Sequence, residues 1–176
     1  ALGVPAGMLE QPLAETTRNW PDCHECCEPG RPPNHCGLGQ ADRLILNKHL
    51  EEGTIKPEKL WYNTLVGEPP TWIDGIPDGT RRNWVIATYC KRPDVVWLAN
   101  GLIYVAEIKP YASYIAFGQA TQYARLARRQ AANPNAIRAA ILTDQADPDL
   151  VLFADGTDPI LYQLGYELCP RPERAT

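Results

Sequence analysis

The dipeptide Asn100-Gly101 is the feature of this sequence that most constrains the fold. It separates two runs that are typical of β-strands, VVWLA before it and LIYVAEI after it. Asn-Gly between two such runs is the strongest short-range signal for a β-hairpin with a two-residue loop. Residues equidistant from the loop then face each other across the hairpin, so the sequence predicts that Asp94 lies opposite Glu107.

Opposed residues of a hairpin share one face of the sheet, with their Cβ atoms about 4.5–5.5 Å apart. Lys109 projects from the same face because it follows Glu107 by two residues. Two facing carboxylates repel each other unless a positive charge lies between them. The hairpin therefore predicts one half of a metal-dependent active site, in which Lys109 and a divalent cation supply the positive charge.

Length and composition predict a globular protein. The chain has 176 residues, of which 44% are hydrophobic and 22% are charged, which is enough for one domain with its own core and excludes disordered and fibrous classes. No apolar run approaches the roughly 18 residues of a membrane span, so we expect no membrane partner. The N-terminus has no signal-peptide pattern, and Ala1 in place of Met predicts a processed form or a domain of a longer chain.

The net charge of −4 gives no overall attraction to nucleic acid. Local basic clusters do occur, and four of their members lie close in sequence to the hairpin and to the helix expected after it. We expect these four residues to contact phosphates if the site acts on a nucleic acid, although such clusters are more often solvated surface: Lys91, Arg92, Arg125 and Arg128.

The chain divides into a Cys-rich and Pro-rich irregular N-terminal arm, residues 1–38, and an α/β domain, residues 39–176. The expected elements of the domain are a helix at 39–52, strands at 83–90, 94–99 and 102–109, a long helix at 112–131, a strand at 136–143, and a C-terminal β-hairpin made by LVLFA and ILYQLGYE. LWYNTLV is compatible with a strand or a helical turn, and Pro110 is expected to end the third strand. The long helix implies a parallel strand pair, and hence a mixed sheet flanked by helices.

Three motifs together resemble the PD-(D/E)xK nuclease superfamily. They are Arg92-Pro93-Asp94, Glu107-Ile108-Lys109 and the Gln119-x-x-x-Tyr123 pair on the following helix, which is similar to the QxxxY motif of the RecB-like branch. The expected order of helix, three strands, helix and strand is also that of the superfamily's restriction-endonuclease-like core (α-β-β-β-α-β). The resemblance covers residues 39–143.

The resemblance implies an endonuclease or exonuclease that hydrolyses DNA phosphodiester bonds with Mg²⁺ or Mn²⁺, with RNA as an open alternative. Asp94 and Glu107 would be metal ligands together with the carbonyl of Ile108, since these cations prefer hard oxygen ligands. Lys109 would act on the attacking water and on developing negative charge.

Two further positions follow from the same resemblance. Gln119 and Tyr123 share one helix face, and in the superfamily such a pair steadies the lysine or the substrate phosphate. A residue of the first helix often adds an acidic ligand, which places Asp42 at the metal, with Glu51 and Glu52 as alternatives on the same helix.

The N-terminal arm concentrates four cysteines with two histidines interleaved. This spacing suits a structural Zn²⁺ site or disulfides equally well, which leaves the compartment open. The residues concerned are Cys23, Cys26, Cys27 and Cys36, with His24 and His35.

Two settings are compatible with such a nuclease. One is replication, repair or a virus; the other is the C-terminal toxin domain of a secreted bacterial effector, which would act in the cytoplasm and would have an immunity protein as partner. The alternative from another class is a non-catalytic module that binds protein or nucleic acid. In that module the cysteine arm organises the binding surface, and the carboxylates form only a stabilised surface pair.

Overall fold

The computed structural model describes residues 38–77, 79–154 and 159–163. Two short 3₁₀ helices, at Thr71–Gly75 and Pro134–Ala136, join some of the larger elements. In chain order these elements are α1 (Gln40–Glu51), β1 (Lys59–Tyr62), α2 (Thr80–Tyr89), β2 (Val95–Ala99), β3 (Leu102–Ala112), α3 (Tyr114–Gln130), β4 (Ile137–Ala146), α4 (Pro148–Ala154) and β5 (Ile160–Gln163).

The five strands form one open mixed sheet in the order β1-β2-β3-β4-β5. The pairs β1–β2 and β2–β3 are antiparallel, whereas β3–β4 and β4–β5 are parallel. Helix α1 packs on one face of the sheet, and α3 packs on the other with α4. The predicted α/β class with a mixed sheet flanked by helices is therefore confirmed.

The β2–β3 hairpin has the predicted register. Val95 pairs with Ala106, and Ala99 pairs with Leu102 on either side of the loop. Asn100 and Gly101 have φ values of 52° and 71°, and a type I′ turn requires positive φ at both positions. The loop therefore fixes which face of the sheet every side chain of β3 occupies, because a slip of one residue would reverse them all.

Helix α3 lies close to the sheet because its inner face is made of small residues. Ser113 caps its N-terminus by accepting a hydrogen bond from the Ile115 N–H. The face toward β3 and β4 carries Ala116, Ala120, Ala124 and Ala127, all buried, together with Tyr123. This confirms the long helix predicted at 112–131, with slightly narrower ends.

Pro110 does not end β3, which continues to Ala112 beside β4. On its other side, β3 pairs with β2 only as far as Ala106, opposite Val95. Beyond Ala106, the side of β3 that faced β2 has no partner strand among the described residues and forms an edge. Pro110 lacks an N–H, and such a residue is tolerated on an edge. The expectation that Pro110 terminates the strand was wrong for this reason.

The strand predicted at 83–90 is also wrong, because this segment forms α2. Arg82 donates hydrogen bonds to the carbonyls of Ile73 and Ile76 and so holds the helix against the preceding 3₁₀ turn. Strand β1, from the ambiguous LWYNTLV segment, pairs with β2 instead. The β-branched and aromatic content of 83–90 favoured a strand, but tertiary packing overrides such propensity.

The predicted C-terminal hairpin is wrong as well. LVLFA belongs to α4, and β5 runs parallel to β4. Asp147 starts the helix: its side chain accepts from the Asp149 N–H and its carbonyl accepts from the Val151 N–H. Asp147-Pro148 is a helix-start signal, with an Asp cap and Pro at the first helical position.

Several expectations fall on residues outside the described ranges. They concern the N-terminal arm, including Cys23, Cys26, Cys27 and Cys36, so the Zn²⁺ and disulfide alternatives and the domain boundary stay predictions. Among the helices of the described residues, none has the length and apolar character needed to cross a membrane.

Replacing Gly101 with Ala should lower the free energy of unfolding by about 1–2 kcal/mol, because an L-residue is strained at positive φ. Gly118→Ala is the matched control: Gly118 lies inside α3, and no described atom lies within 4 Å of the Cβ it would gain. This control should stabilise the protein by about 0.4–1 kcal/mol. Urea unfolding measures both, and equal effects of the same sign would contradict the turn assignment.

Candidate active site

The hairpin brings Asp94, Glu107 and Lys109 together on the face of the sheet that packs against α3. The Lys109 Nζ lies 2.5 Å from Glu107 Oε1 and 4.0 Å from Asp94 Oδ2. Asp94 directly precedes β2, and its Oδ2 accepts a 2.8 Å hydrogen bond from the Ile108 N–H. One ammonium group thus serves two carboxylates whose positions are set by the backbone of β3.

Glu107 is buried, with only 3% of its surface exposed. One carboxylate oxygen binds Lys109, but the other, Oε2, finds no hydrogen-bond partner among the described residues. Leaving a buried acceptor unpartnered costs about 1–3 kcal/mol and more when it is charged. Asp94 and Lys109 are only partly buried, so solvent reaches the site from their side.

The pKa of Glu107 is raised to about 7: burial is the largest cause, the charge of Asp94 adds to it, and the hydrogen bond and ion pair with Lys109 oppose both. Burial also raises the pKa of Asp94, against the effects of the Ile108 N–H and of Lys109. For Lys109, burial lowers the pKa, but the contacts with Glu107 and Asp94 outweigh it and the net direction is upward. Lys109 is therefore a cation, and Glu107 titrates close to neutral pH.

Gln119 and Tyr123 both lie on the α3 face beside these charges. Burial raises the pKa of Tyr123, and the charges of Glu107 and Asp94 raise it further, whereas a hydrogen bond with Gln119 lowers it. Tyr123 therefore keeps its proton and can act as a donor. The side-chain oxygen of Gln119 is buried and has no hydrogen-bond partner among the described residues.

Asp42 lies in the first turn of α1 and is partly buried. Its negative charge raises the pKa values of Asp94, Glu107 and Lys109, although in each case other causes are larger. The alternatives Glu51 and Glu52 are exposed at the opposite end of α1. Of the three acids considered, Asp42 is thus the one that acts on this site.

A three-carboxylate metal site is not formed. Within residues 38–77, 79–154 and 159–163, no three His, Cys, Asp or Glu side chains are grouped so that they can hold a metal ion. Asp94 and Glu107 remain as two carboxylates that can share a cation. The Ile108 carbonyl, the third ligand expected from the sequence, belongs to the residue between Glu107 and Lys109. Any cation here would therefore take further ligands from water or substrate.

The four predicted phosphate-binding cations have different environments. Arg125 and Arg92 are exposed, and Arg92 also donates to the Asn63 carbonyl. Lys91 Nζ donates to the Thr88 carbonyl. Arg128 is partly buried and donates to the Ile137 carbonyl at the start of β4, so it helps to hold α3 on the sheet.

The Ile108 N–H is a part of the site that the sequence analysis did not identify. The sequence indicates a role for the Ile108 carbonyl alone, whereas in the structure the Ile108 N–H fixes the Asp94 carboxylate. The hairpin register contains the signal for this contact, because Asp94 lies just beyond the last ladder pair, Val95 with Ala106. Past the end of the ladder, a backbone N–H is available to a side-chain acceptor.

Comparison with protein-family models, curated proteins and solved structures finds no match to this chain. Any statement about function therefore depends on the geometry and chemistry of the site itself.

The contribution of Glu107 to stability should fall as pH rises from about 4.5 to about 7. Buried His49, whose pKa burial lowers to about 4, contributes in the opposite direction over the same range, so the Glu107 contribution is measured as a difference between variants. The Glu107 pKa is about 7 in the folded state against an ordinary value of 4.5, so the folded state binds the proton more tightly and this contribution is lost as pH passes the folded-state pKa. The shift corresponds to about 3 kcal/mol.

Glu107→Gln cannot ionise, so in urea unfolding measured on both sides of the range its free energy of unfolding should rise relative to that of the wild-type protein as pH increases. Glu51→Gln, an exposed acid on α1, is the control and should keep the wild-type slope. An unchanged slope in Glu107→Gln would show that the buried carboxyl does not titrate near neutral pH.

Proposed function

We propose that this protein is a Mg²⁺- or Mn²⁺-dependent nuclease that hydrolyses DNA phosphodiester bonds. The observation that carries the proposal is the Lys109 ammonium held between Asp94 and the buried Glu107, whose second oxygen has no partner among the described residues. The unpartnered oxygen is a ligand atom of the type that hard divalent cations prefer.

The donor set fits Mg²⁺ or Mn²⁺ better than a soft metal. Mg²⁺ is usually bound by one or two carboxylates and completes its coordination with waters and substrate phosphates, so Asp94, Glu107 and the Ile108 carbonyl are sufficient. When bound, such a cation neutralises phosphate charge and makes water more acidic. The negative charge of Asp42 adds to the attraction for a cation.

The chain's own residues supply the remaining chemistry. Lys109 stays protonated and is placed to stabilise negative charge that develops on a phosphate, which is worth about 10²–10³-fold in rate for one well-placed donor. The Tyr123 hydroxyl and the Gln119 amide provide uncharged hydrogen-bonding groups beside it. Both side chains project from one face of α3, the helix that packs against the sheet.

The fold supports the resemblance to PD-(D/E)xK nucleases in part. The order α1, β1, β2, β3, α3, β4 is that of the superfamily core, with α2 inserted between β1 and β2. The resemblance also carries the preference for DNA over RNA. The replication, repair or viral setting and the toxin setting use the same chemistry, and the toxin setting adds an immunity protein.

The non-catalytic alternative is less well supported. It treats the two carboxylates as a stabilised surface pair, but Glu107 is almost fully buried. A buried ion pair stabilises a fold weakly at best, because removing charges from water costs several kcal/mol. A buried, strongly desolvated carboxylate in a cluster of charges is instead typical of functional sites.

Plasmid or oligonucleotide DNA should be cleaved by the wild-type protein with Mg²⁺ or Mn²⁺ and left intact with a chelator. Glu107→Ala and Lys109→Ala should each lower the rate by roughly 10²–10⁴-fold, because each removes a group that acts in the reaction. The matched controls are Glu51→Ala and Lys59→Ala, which remove exposed charges elsewhere and should leave the rate unchanged. No cleavage by the wild-type protein, or equal cleavage by all variants, would favour the non-catalytic module.

Mn²⁺ should stabilise the protein independently of any activity. At a concentration of about 100 times Kd, binding to the folded state alone contributes about 2.7 kcal/mol, or a rise in Tm of roughly 5–10 °C for a chain of this size. Glu107→Ala should abolish the rise, and Glu51→Ala should retain it. An equal rise in both variants would place the cation elsewhere.

A further inference from the structure

Three aromatic side chains are exposed on α2 and on the 3₁₀ helix before it. Trp84 is 68% exposed, Trp72 is 54% exposed and Tyr89 is 51% exposed. Trp72 and Tyr89 contact each other edge to face, with ring centroids 5.9 Å apart. Exposed aromatic residues that contact each other usually mark a binding site, because solvent exposure of such area is unfavourable. We call Trp72 and Tyr89 the aromatic surface; Trp84 lies on the same helix as Tyr89 but about 140° away around its axis.

The charge around the aromatic surface is positive although the chain is acidic. Residues 68–92 and 114–130, which contain the 3₁₀ helix with Trp72, α2, its exit and α3, hold 7 of the 17 Lys and Arg residues and 3 of the 21 Asp and Glu residues, an excess of positive charge in a chain whose net charge is −4. An anionic ligand is therefore complementary to this part of the molecule, and an apolar or cationic one is not.

The exit of α2 and helix α3 are neighbours in space. Gly67 lies between them: its N–H donates to Gln130 Oε1 at the end of α3. A Cβ at Gly67 would lie 3.4 Å from a methyl carbon of Leu126 and 3.5 Å from the Tyr89 carbonyl oxygen. The end of α2, which carries Tyr89, therefore lies beside the C-terminal part of α3, which carries the exposed Arg125 and Arg129.

The same segment leads directly into the candidate active site. Lys91 forms a β-bridge with Val66, and the Asn63 N–H donates to the Asp94 carbonyl. These contacts hold the chain from Tyr89 to Asp94 in a defined course. Five residues span at most about 18 Å, so the aromatic surface and the carboxylates are within reach of one short oligonucleotide.

We propose that the aromatic surface binds the unpaired bases of single-stranded DNA, while basic residues on α2, its exit and α3 contact the phosphates. The inference rests on the proposed nuclease function and specifies its substrate as a single strand. Aromatic side chains in a positively charged groove are how proteins bind single strands without sequence preference, since every base has a face that stacks. In a duplex the bases are already stacked on each other and offer these rings no face.

The test is fluorescence anisotropy of a labelled, mixed-sequence DNA oligonucleotide with the full chain in chelator, so that cleavage does not interfere. Trp72→Ala should weaken single-strand binding by about 5- to 150-fold, which corresponds to the 1–3 kcal/mol of one stacked base. Trp72→Phe should retain most of the affinity because it keeps a ring. Leu44→Ala, which removes an exposed apolar side chain from α1 on the other face of the sheet, should bind as the wild-type protein does.

Three results would overturn the inference. They are no binding of the single strand by the wild-type protein, equal affinity of Trp72→Ala, and duplex binding as tight as single-strand binding. Equal affinity of Trp72→Ala would mean that another macromolecule, such as a protein, covers the aromatic surface.

The outcome is separable from that of the proposed function. Trp72-dependent binding without any metal-dependent cleavage would keep the surface and reject the nuclease. Glu107-dependent cleavage, with neither weaker binding nor a higher KM in Trp72→Ala, would keep the nuclease and reject the surface.

Discussion

The ammonium of Lys109, shared between Asp94 and Glu107, is the interaction on which the site depends. Two carboxylates of one sheet face repel each other, and burial of Glu107 increases that repulsion because a low-dielectric surrounding screens it less. The fold keeps them together by compensating with a lysine on the same strand and with the Ile108 N–H on Asp94. The compensation is incomplete, since the Glu107 pKa remains at about 7. A pair held with incomplete compensation is suited to receive a further positive charge.

The scaffold makes this arrangement possible through two local features. The Asn100-Gly101 turn fixes the register that puts Glu107 and Lys109 on the face toward α3. The alanines of α3 let the helix approach the sheet closely, so the longer Gln119 and Tyr123 side chains on the neighbouring helix face lie beside the charges. A larger residue in place of Ala116 or Ala120 would push the helix away, because a close-packed interior has no room for added methylene groups.

The hairpin, its register and the long helix were predictable from sequence because each depends on a local signal, namely a turn dipeptide between two strand-like runs and an Ala-rich segment followed by Asn133-Pro134. The segment 83–90 was not predictable in this way. Its composition favours a strand, and its helical state depends on Arg82 contacts to Ile73 and Ile76 that only the folded chain provides. The wrong prediction of a C-terminal hairpin has a different cause. The helix-start signal Asp147-Pro148 is present in the sequence, but the polar segment that contains it also fits a break between two strands. The site residues were nominated from motif and register, whereas the unpartnered Glu107 oxygen depends on packing and cannot be read from spacing.

The charges of the site also bear on the order in which ligands bind. With Asp94 and Glu107 ionised and Lys109 protonated, the three groups carry one net negative charge, and the nearby Asp42 makes the potential more negative. Such a site repels a phosphate diester on its own, even though the α2 and α3 segments beside it are basic. In the proposed nuclease, a divalent cation between the carboxylates would reverse the local sign, so phosphate binding at the site would be conditional on the cation. The surface proposed to bind single strands would not share this condition, because its segments have an excess of basic residues. Under the two proposals, strand binding by α2 and α3 and strand positioning by β3 would therefore be separable steps.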